Sequence, residues 1–295
     1  MKTALISIMV TAAAAITATA TAAPPAAVYD SETLFAGIPD CRLEVDLGQV
    51  KEIHPREPHQ SAQGLAIHNR TVFALYHLGD CVVYDLDNNR FINEFILDGA
   101  EGTHCNNASF GVERADSTSA FPLLYVSECS GERRCFVLDI DTCGSRCVQT
   151  LTFEGEGIDS FCDWCVDREN RFIYAIGKTP ESGVVLKRFA LPAAGDGEKV
   201  VLGDKDVLWE RSYPKGFFHI MQGTYIDNGV LYAPTGDPRK GSCRIHLIDL
   251  ATGRRTALYD IDAIGREPEG VCAANGRLWV FFTGGGGCLY SFDIL

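Results

Sequence analysis

The stretch MQGTYIDNGVLYAPTGDPRKGSCRIHLIDLATGR, Met221 to Arg254, holds three short apolar runs, two turns and no helical period. Short runs rich in β-branched and aromatic residues, separated by Gly, Asp, Asn and Pro, read as strands joined by turns. The stretch opens on a polar residue followed by glycine, Gln222-Gly223. Related openings recur elsewhere in the chain: Gln63-Gly64, Asn107-Ala108, Asp163-Trp164 and Glu269-Gly270.

Each opening leads into a strand, a turn and a second strand: TVFALYHL, FPLLYVSE, RFIYAIGK, GVLYAPTG and RLWVFFTG. A third strand follows and in four units ends on Asp, as in VVYDLD, FVLDID, HLIDL and YSFDI. A fourth strand, such as FINEFIL or CVQTLTF, completes the first four units. The openings are 44, 56, 59 and 47 residues apart, the scale of a four-stranded propeller blade with loop insertions. The fifth unit stops after its third strand, and CRLEVDL, Cys41 to Leu47, is free to supply the fourth. The sequence therefore predicts an all-β, five-bladed propeller whose N-terminal strand pairs with the last blade, leaving no open sheet edge. A two-sheet sandwich accounts for neither the missing last strand nor the five similar openings.

Residues 40–295 form this single domain, with LPAAGDGEKVVLGDK expected as an insertion in the third blade. Residues 1–23 read as a signal peptide, with Lys2, an apolar run from Ala4 and small residues up to Ala23. Residues 24–39 are a lead-in. The expected location is secreted or periplasmic, with no membrane span in the mature chain and a monomeric protein. A net charge of -13 excludes a general nucleic-acid binder.

Twelve cysteines suit an oxidising compartment and suggest disulfide bonds. The strand map offers Cys129–Cys135 across a hairpin, Cys143–Cys147 around a tight loop, and Cys41–Cys288 at the closure. Cys162 and Cys165 have CxxC spacing, but no second ligand pair accompanies them to make a zinc site.

The first strand of a propeller blade lines the central channel. One register on five blades makes a ring of Gln63, Asn107, Asp163, Gln222 and Glu269, and Gly after the polar residue suits close backbone approach at the axis. Five oxygen-bearing side chains, two of them carboxylates, are a candidate site for calcium at Asp163 and Glu269, or for ordered water. Trp164 stands beside the ring as a candidate ligand contact. His104 and His219 each lie three residues before a ring member, in loops on the channel's top face. Arg133, Arg134, Lys178, Arg239 and Lys240 lie in loops reaching the same face, a rim suited to an anionic ligand, with Arg239 as the named contact.

The run Met221–Arg254 resembles the plant and bacterial type of glutaminyl cyclotransferase. The matching residues are Gln222, Gly223, Leu231, Tyr232, Thr235, Gly236, Asp249, Leu250, Thr252 and Gly253. That family implies a five-bladed propeller that cyclises N-terminal glutamine, and its following Glu-Gly places Glu269 as the expected proton shuttle. The likeness covers two blades, the fourth and fifth. The whole chain, with HCNNASF and EPEG, is similar to secreted bacterial propellers that bring a fold and no established activity.

Two functions follow as expectations. One is a binding module that takes a small molecule, glycan, peptide or envelope component at the top of the channel. The other is an enzyme using Glu269 as acid/base, with Asp163 or a His assisting, in acyl transfer or glycoside hydrolysis.

Overall fold

The computed structural model describes residues 35–53, 62–195 and 198–294; residues 1–23 and most of the lead-in lie outside these. Five antiparallel sheets follow one another along the chain. Blade one comprises Ala62–His68, Thr71–Tyr76, Asp80–Asp85 and Arg90–Ile96. Blade two comprises Cys105–Phe110, Leu124–Glu128, Arg134–Ile140 and Ser145–Phe153. Blade three runs Cys162–Asp167, Phe172–Lys178, Val184–Ala190 and Trp209–Tyr213. Blade four runs Tyr225–Asp227, Val230–Thr235, Arg244–Asp249 and Arg254–Asp260. Blade five contains Pro268–Ala274, Arg277–Phe282 and Cys288–Phe292.

Blade five takes its outer strand from Cys41–Asp46, which pairs antiparallel with Cys288–Phe292. Arg42 faces Ser291, and the Ser291 hydroxyl donates to Glu44 at 2.5 Å. The Leu47 amide continues the seam by donating to the Gly287 carbonyl. The five-bladed propeller closed by its N-terminal strand is thus the observed fold. Among the described residues no helix is long and apolar enough to cross a membrane.

The recurring Asp at the end of the third strand is a turn device. Asp85, Asp141 and Asp249 each accept two backbone amides from the turn into the fourth strand, at 2.6–3.2 Å. This is the side-chain-to-backbone geometry that makes Asp favoured in turns. The core lies in the seams between neighbouring blades. Leu75, Val83, Phe110 and Phe136 fill the seam of blades one and two, and Trp164, Phe153 and Phe189 that of two and three. Ile176, Phe218 and Ile248 fill the third seam, while Tyr76, Phe281 and Tyr232 belong to the large cluster around blade five.

Two segments sit differently from the sequence expectation. The insertion in blade three sends Lys199–Leu202 to the outer edge of blade two, parallel to Thr150–Phe153. Phe35–Gly37 of the lead-in adds a parallel fifth strand to blade four. Both segments cover an outer strand that would otherwise expose unpaired backbone groups.

The expected disulfides do not form, and all twelve cysteines are free thiols. Register is the reason. Cys41 faces Phe292 while Cys288 faces Asp46, which places them at opposite ends of the closing pair. Cys135 faces Ser127, two residues before Cys129. Cys147 faces Leu138, while Cys143 sits at the exposed tip held by Asp141. Disulfide geometry requires Cβ atoms roughly 3.5–4.5 Å apart, which cross-strand neighbours out of register do not offer.

Candidate functional site at the channel mouth

The first strands of successive blades pack side by side around the whole ring. Glycine at the strand start is what allows it. A Cβ on Gly223 would lie 2.8 Å from the Glu269 carbonyl oxygen, and one on Gly64 would lie 3.1 Å from the Cys105 carbonyl oxygen. The Gly223 amide instead donates to that Glu269 carbonyl at 2.9 Å, tying blade four to blade five. Bulges interrupt the first strands of blades one, two and five at their polar openings. A bulge shifts the inward–outward alternation and re-aims one side chain.

All five predicted ring residues are buried: Gln63, Asn107, Asp163, Gln222 and Glu269 are 0–6 % exposed. They do different things. Asn107 is a structural clamp. Its amide donates to the Trp164 carbonyl at 2.9 Å and the Thr224 hydroxyl at 3.3 Å, and its oxygen accepts from the Thr224 amide at 3.1 Å. Its neighbour Asn106, across the bulge, donates to Asp163 Oδ2 at 2.6 Å. Asp163 Oδ1 has no partner and is fully buried. Burial pushes the Asp163 carboxyl up to about 7, with the Asn106 and Ser127 hydrogen bonds opposing.

Glu269 is the second unusual acid. Its carboxyl makes no hydrogen bond among the described residues and is 5 % exposed. Burial, then the charges of Glu267, Asp237 and Asp163, raise it well above the usual carboxylate range, with Arg239 opposing. Above it runs a charged chain. Gln222 Nε2 donates to Glu267 Oε1 at 2.9 Å. Arg239 donates to Glu267 Oε2 at 3.1 Å and grips both Asp237 oxygens at 2.9 Å. Lys240 adds a 3.2 Å pair to the same Asp237. Those partners hold Asp237 well below the ordinary carboxylate range. Burial, then the Asp237 charge, raises Glu267.

Four of the five rim cations are engaged within the protein, and Lys178 is exposed. Arg239 and Lys240 are committed to Asp237, and Arg134 is bidentate to Glu128 at 2.7 Å. Arg133 donates to the Asp159 carbonyl. Around Glu269 the mouth carries Asp237 and Glu267 against Arg239 and Lys240, so the expected basic charge is neutralised by ion pairs. Trp164 does not face a ligand either. It is fully buried between blades two and three, tilted against Phe189, with its indole N–H donating to the Arg133 carbonyl at 3.0 Å. Its backbone alone serves the site, through the carbonyl that Asn107 uses.

The two histidines also separate. His219 is exposed and lies against Gly241 in the Arg239 loop. His104 is half-buried and hydrogen-bonded to His77, Nδ1 to Nδ1, at 2.9 Å. Among the described residues no three His, Cys, Asp or Glu side chains converge on a point that holds a metal. Calcium takes about six to eight oxygens, and the ring brings only two carboxylates, Asp163 and Glu269, toward one another.

Sequence reasoning missed Asn106, Ser127, Asp237, Glu267 and His77. Glu267 had a signal, since alternation puts it on the face of its partner two residues on. Asp237 also had one, because an Asp two residues before an Arg in a Gly-bounded loop is a local ion-pair geometry.

Against this geometry the known structures give one bearing. The chain is similar in fold to a glutaminyl cyclase. The crystal structure is that of the Myxococcus xanthus enzyme, with a TM-score of 0.53 and 15 % identity over 85 % of this chain and 94 % of that one. At that identity the likeness speaks for the propeller alone. No family model and no curated protein matches the chain.

Proposed function

We propose that this is an exported propeller that binds a small polar ligand, glycan, peptide or envelope fragment at the channel mouth, with Glu269 as the anchor. The observation that carries the reading is the Glu269 carboxyl, almost buried yet without a hydrogen-bond partner among the described residues. A ligand that pairs with this carboxyl gains a hydrogen bond worth about 0.5–1.5 kcal/mol net. Burial and the acidic neighbours favour the protonated form, in which the carboxyl offers one O–H donor and an acceptor. With Asp237 and Glu267 balanced by Arg239 and Lys240, the mouth suits a neutral polar ligand.

The test is thermal shift of the purified chain against glycans, peptides and organic cations, since a ligand preferring the folded state raises its melting temperature. The Glu269→Gln variant should fold normally and bind the hit about tenfold or more weakly, the worth of one charge-related hydrogen bond. Unchanged affinity in that variant removes Glu269 as the anchor.

A second reading is catalysis with Glu269 as general acid/base and Asp163 in support. It is favoured by two carboxyls raised toward neutral pH, where such groups transfer protons best. The name of the Myxococcus xanthus enzyme suggests the substrate to try, a peptide bearing N-terminal glutamine. Turnover that survives Glu269→Gln unchanged rules this reading out.

A further inference from the structure

His77 and His104 are not used by the Glu269 site. His77 lies in the loop after the second strand of blade one, and His104 lies just before the first strand of blade two. An isolated antiparallel bridge pairs their backbones across the seam between the two blades. The rings meet edge to face, with centroids 5.0 Å apart and the two Nδ1 atoms 2.9 Å apart. Neither Nε2 has a hydrogen-bond partner among the described residues, and both side chains are half-buried. Neutral imidazole is the form that binds metal.

The contact between the two Nδ1 atoms is a hydrogen bond and so holds one proton. One ring carries it on Nδ1 and donates to the lone pair of the other. No carboxylate or carbonyl reaches either ring to fix the tautomer. The spacing fits a second use. Imidazole nitrogens bind a divalent transition ion at about 2.0–2.1 Å, so two of them at a right angle on one ion lie about 2.9 Å apart. A tetrahedral ion would need a spacing of about 3.3–3.4 Å at the same bond length. Right-angled nitrogen ligation is the preference of copper(II) and nickel(II), and copper(II) heads the affinity order of the divalent series.

We propose that His77 and His104 chelate one copper(II)-type ion at the rim between blades one and two, with water filling its other positions. Chelation requires each Nδ1 lone pair to swing by about 45° from the line joining the two nitrogens to a shared point, which the rings reach by rotation about χ1 and χ2. The proton between the rings moves to Nε2 of the ring that carried it, through solvent, so both rings become Nε2–H tautomers and no net proton is released. No bond in the protein is broken, and the backbone bridge keeps the two residues in place. With only two protein ligands the ion keeps open positions, so the site is accessible to a further ligand from solution.

The experiment is titration of the chelator-washed full chain with copper(II), followed by calorimetry and electron paramagnetic resonance. One tight equivalent is expected, with a spectrum showing two imidazole nitrogens. His77→Gln and His104→Gln should each weaken that equivalent at least about tenfold, the low end of what a lost supporting group alone costs a metal site. Nickel(II) should bind more weakly at the same place. Should either variant fail to fold, the wild-type spectrum decides. Copper bound with one nitrogen or none, wild-type affinity in both variants, or no tight equivalent at all overturns the proposal.

Discussion

Gly270→Ala should destabilise the protein by about 3 kcal/mol or more, the upper end of the range for forced overpacking. The added Cβ would lie 2.3 Å from the Leu65 amide nitrogen, 2.5 Å from the Gly64 carbonyl carbon and 2.7 Å from the Gln63 carbonyl oxygen. All three are backbone atoms, so no flexible side chain can swing aside. The clash falls where blade five meets blade one, and relief requires the first strands of both to part. For a domain of this size the loss corresponds to about 2–4 °C of melting temperature per kcal/mol, read by calorimetry. Gly144→Ala is the control. Nothing lies within 4 Å of its added Cβ, and the change should stay within about 0.5 kcal/mol. Equal melting temperatures for the two variants would show that the strands at the axis have room to spare.

Asp163→Asn should flatten the protein's response to pH. In the unfolded chain this carboxyl titrates near 3.8, and in the folded protein burial pushes it up to about 7. Below the lower value both states hold the proton, and Asp163 has no effect on stability. Between the two values the folded state keeps a proton that the unfolded state has released, so stability falls as pH rises. The loss is complete above the folded value. At about 1.4 kcal/mol per pH unit, a window of roughly three units is worth roughly 4 kcal/mol. Denaturant unfolding at pH 4 and pH 8 measures it. The wild type should weaken strongly across that interval. The variant, whose amide oxygen still accepts from Asn106, should weaken much less. Some slope will persist in it, because Glu269 is raised for the same physical reason and acts in the same direction. Parallel profiles would mean that Asp163 ionises freely in the folded protein.

Blade count, strand order and closure were legible because each rests on a repeated local signal. The polar–Gly openings mark where backbones crowd the axis, and the third-strand Asp marks a turn that needs a side-chain acceptor. The missing fifth-blade strand and the orphan CRLEVDL stretch could only be reconciled by pairing. What could not be read was orientation within a strand. Asn106 and Asn107 are adjacent and identical in chemistry, yet a bulge sends one to Asp163 and makes the other a clamp across three blades. Trp164 shares the ring register by number, but its bulk fits only the seam between blades. The charged residues of the mouth were visible singly. Their pairing was not, because Arg239 meets Glu267 across two blades, and so a rim that reads as free basic charge is partly neutralised by Asp237 and Glu267. The cysteines misled for the same reason: a shift of a few residues along a strand pair separates thiols that a strand map places together.

The outer strand of the last blade is also the first six-residue strand among the described residues. Synthesis therefore delivers the two halves of one ladder at opposite times. Cys41–Asp46 has no ladder partner until Cys288–Phe292 is in place, after four complete sheets. During that interval an edge with unsatisfied amides and carbonyls is open to the wrong neighbour, the hazard of long-range strand pairing. Arrival of the final residues ends it. Folding is in this sense proofread by its last step: a chain interrupted anywhere before Cys288 retains a permanently sticky first strand, which marks it for chaperones and proteases.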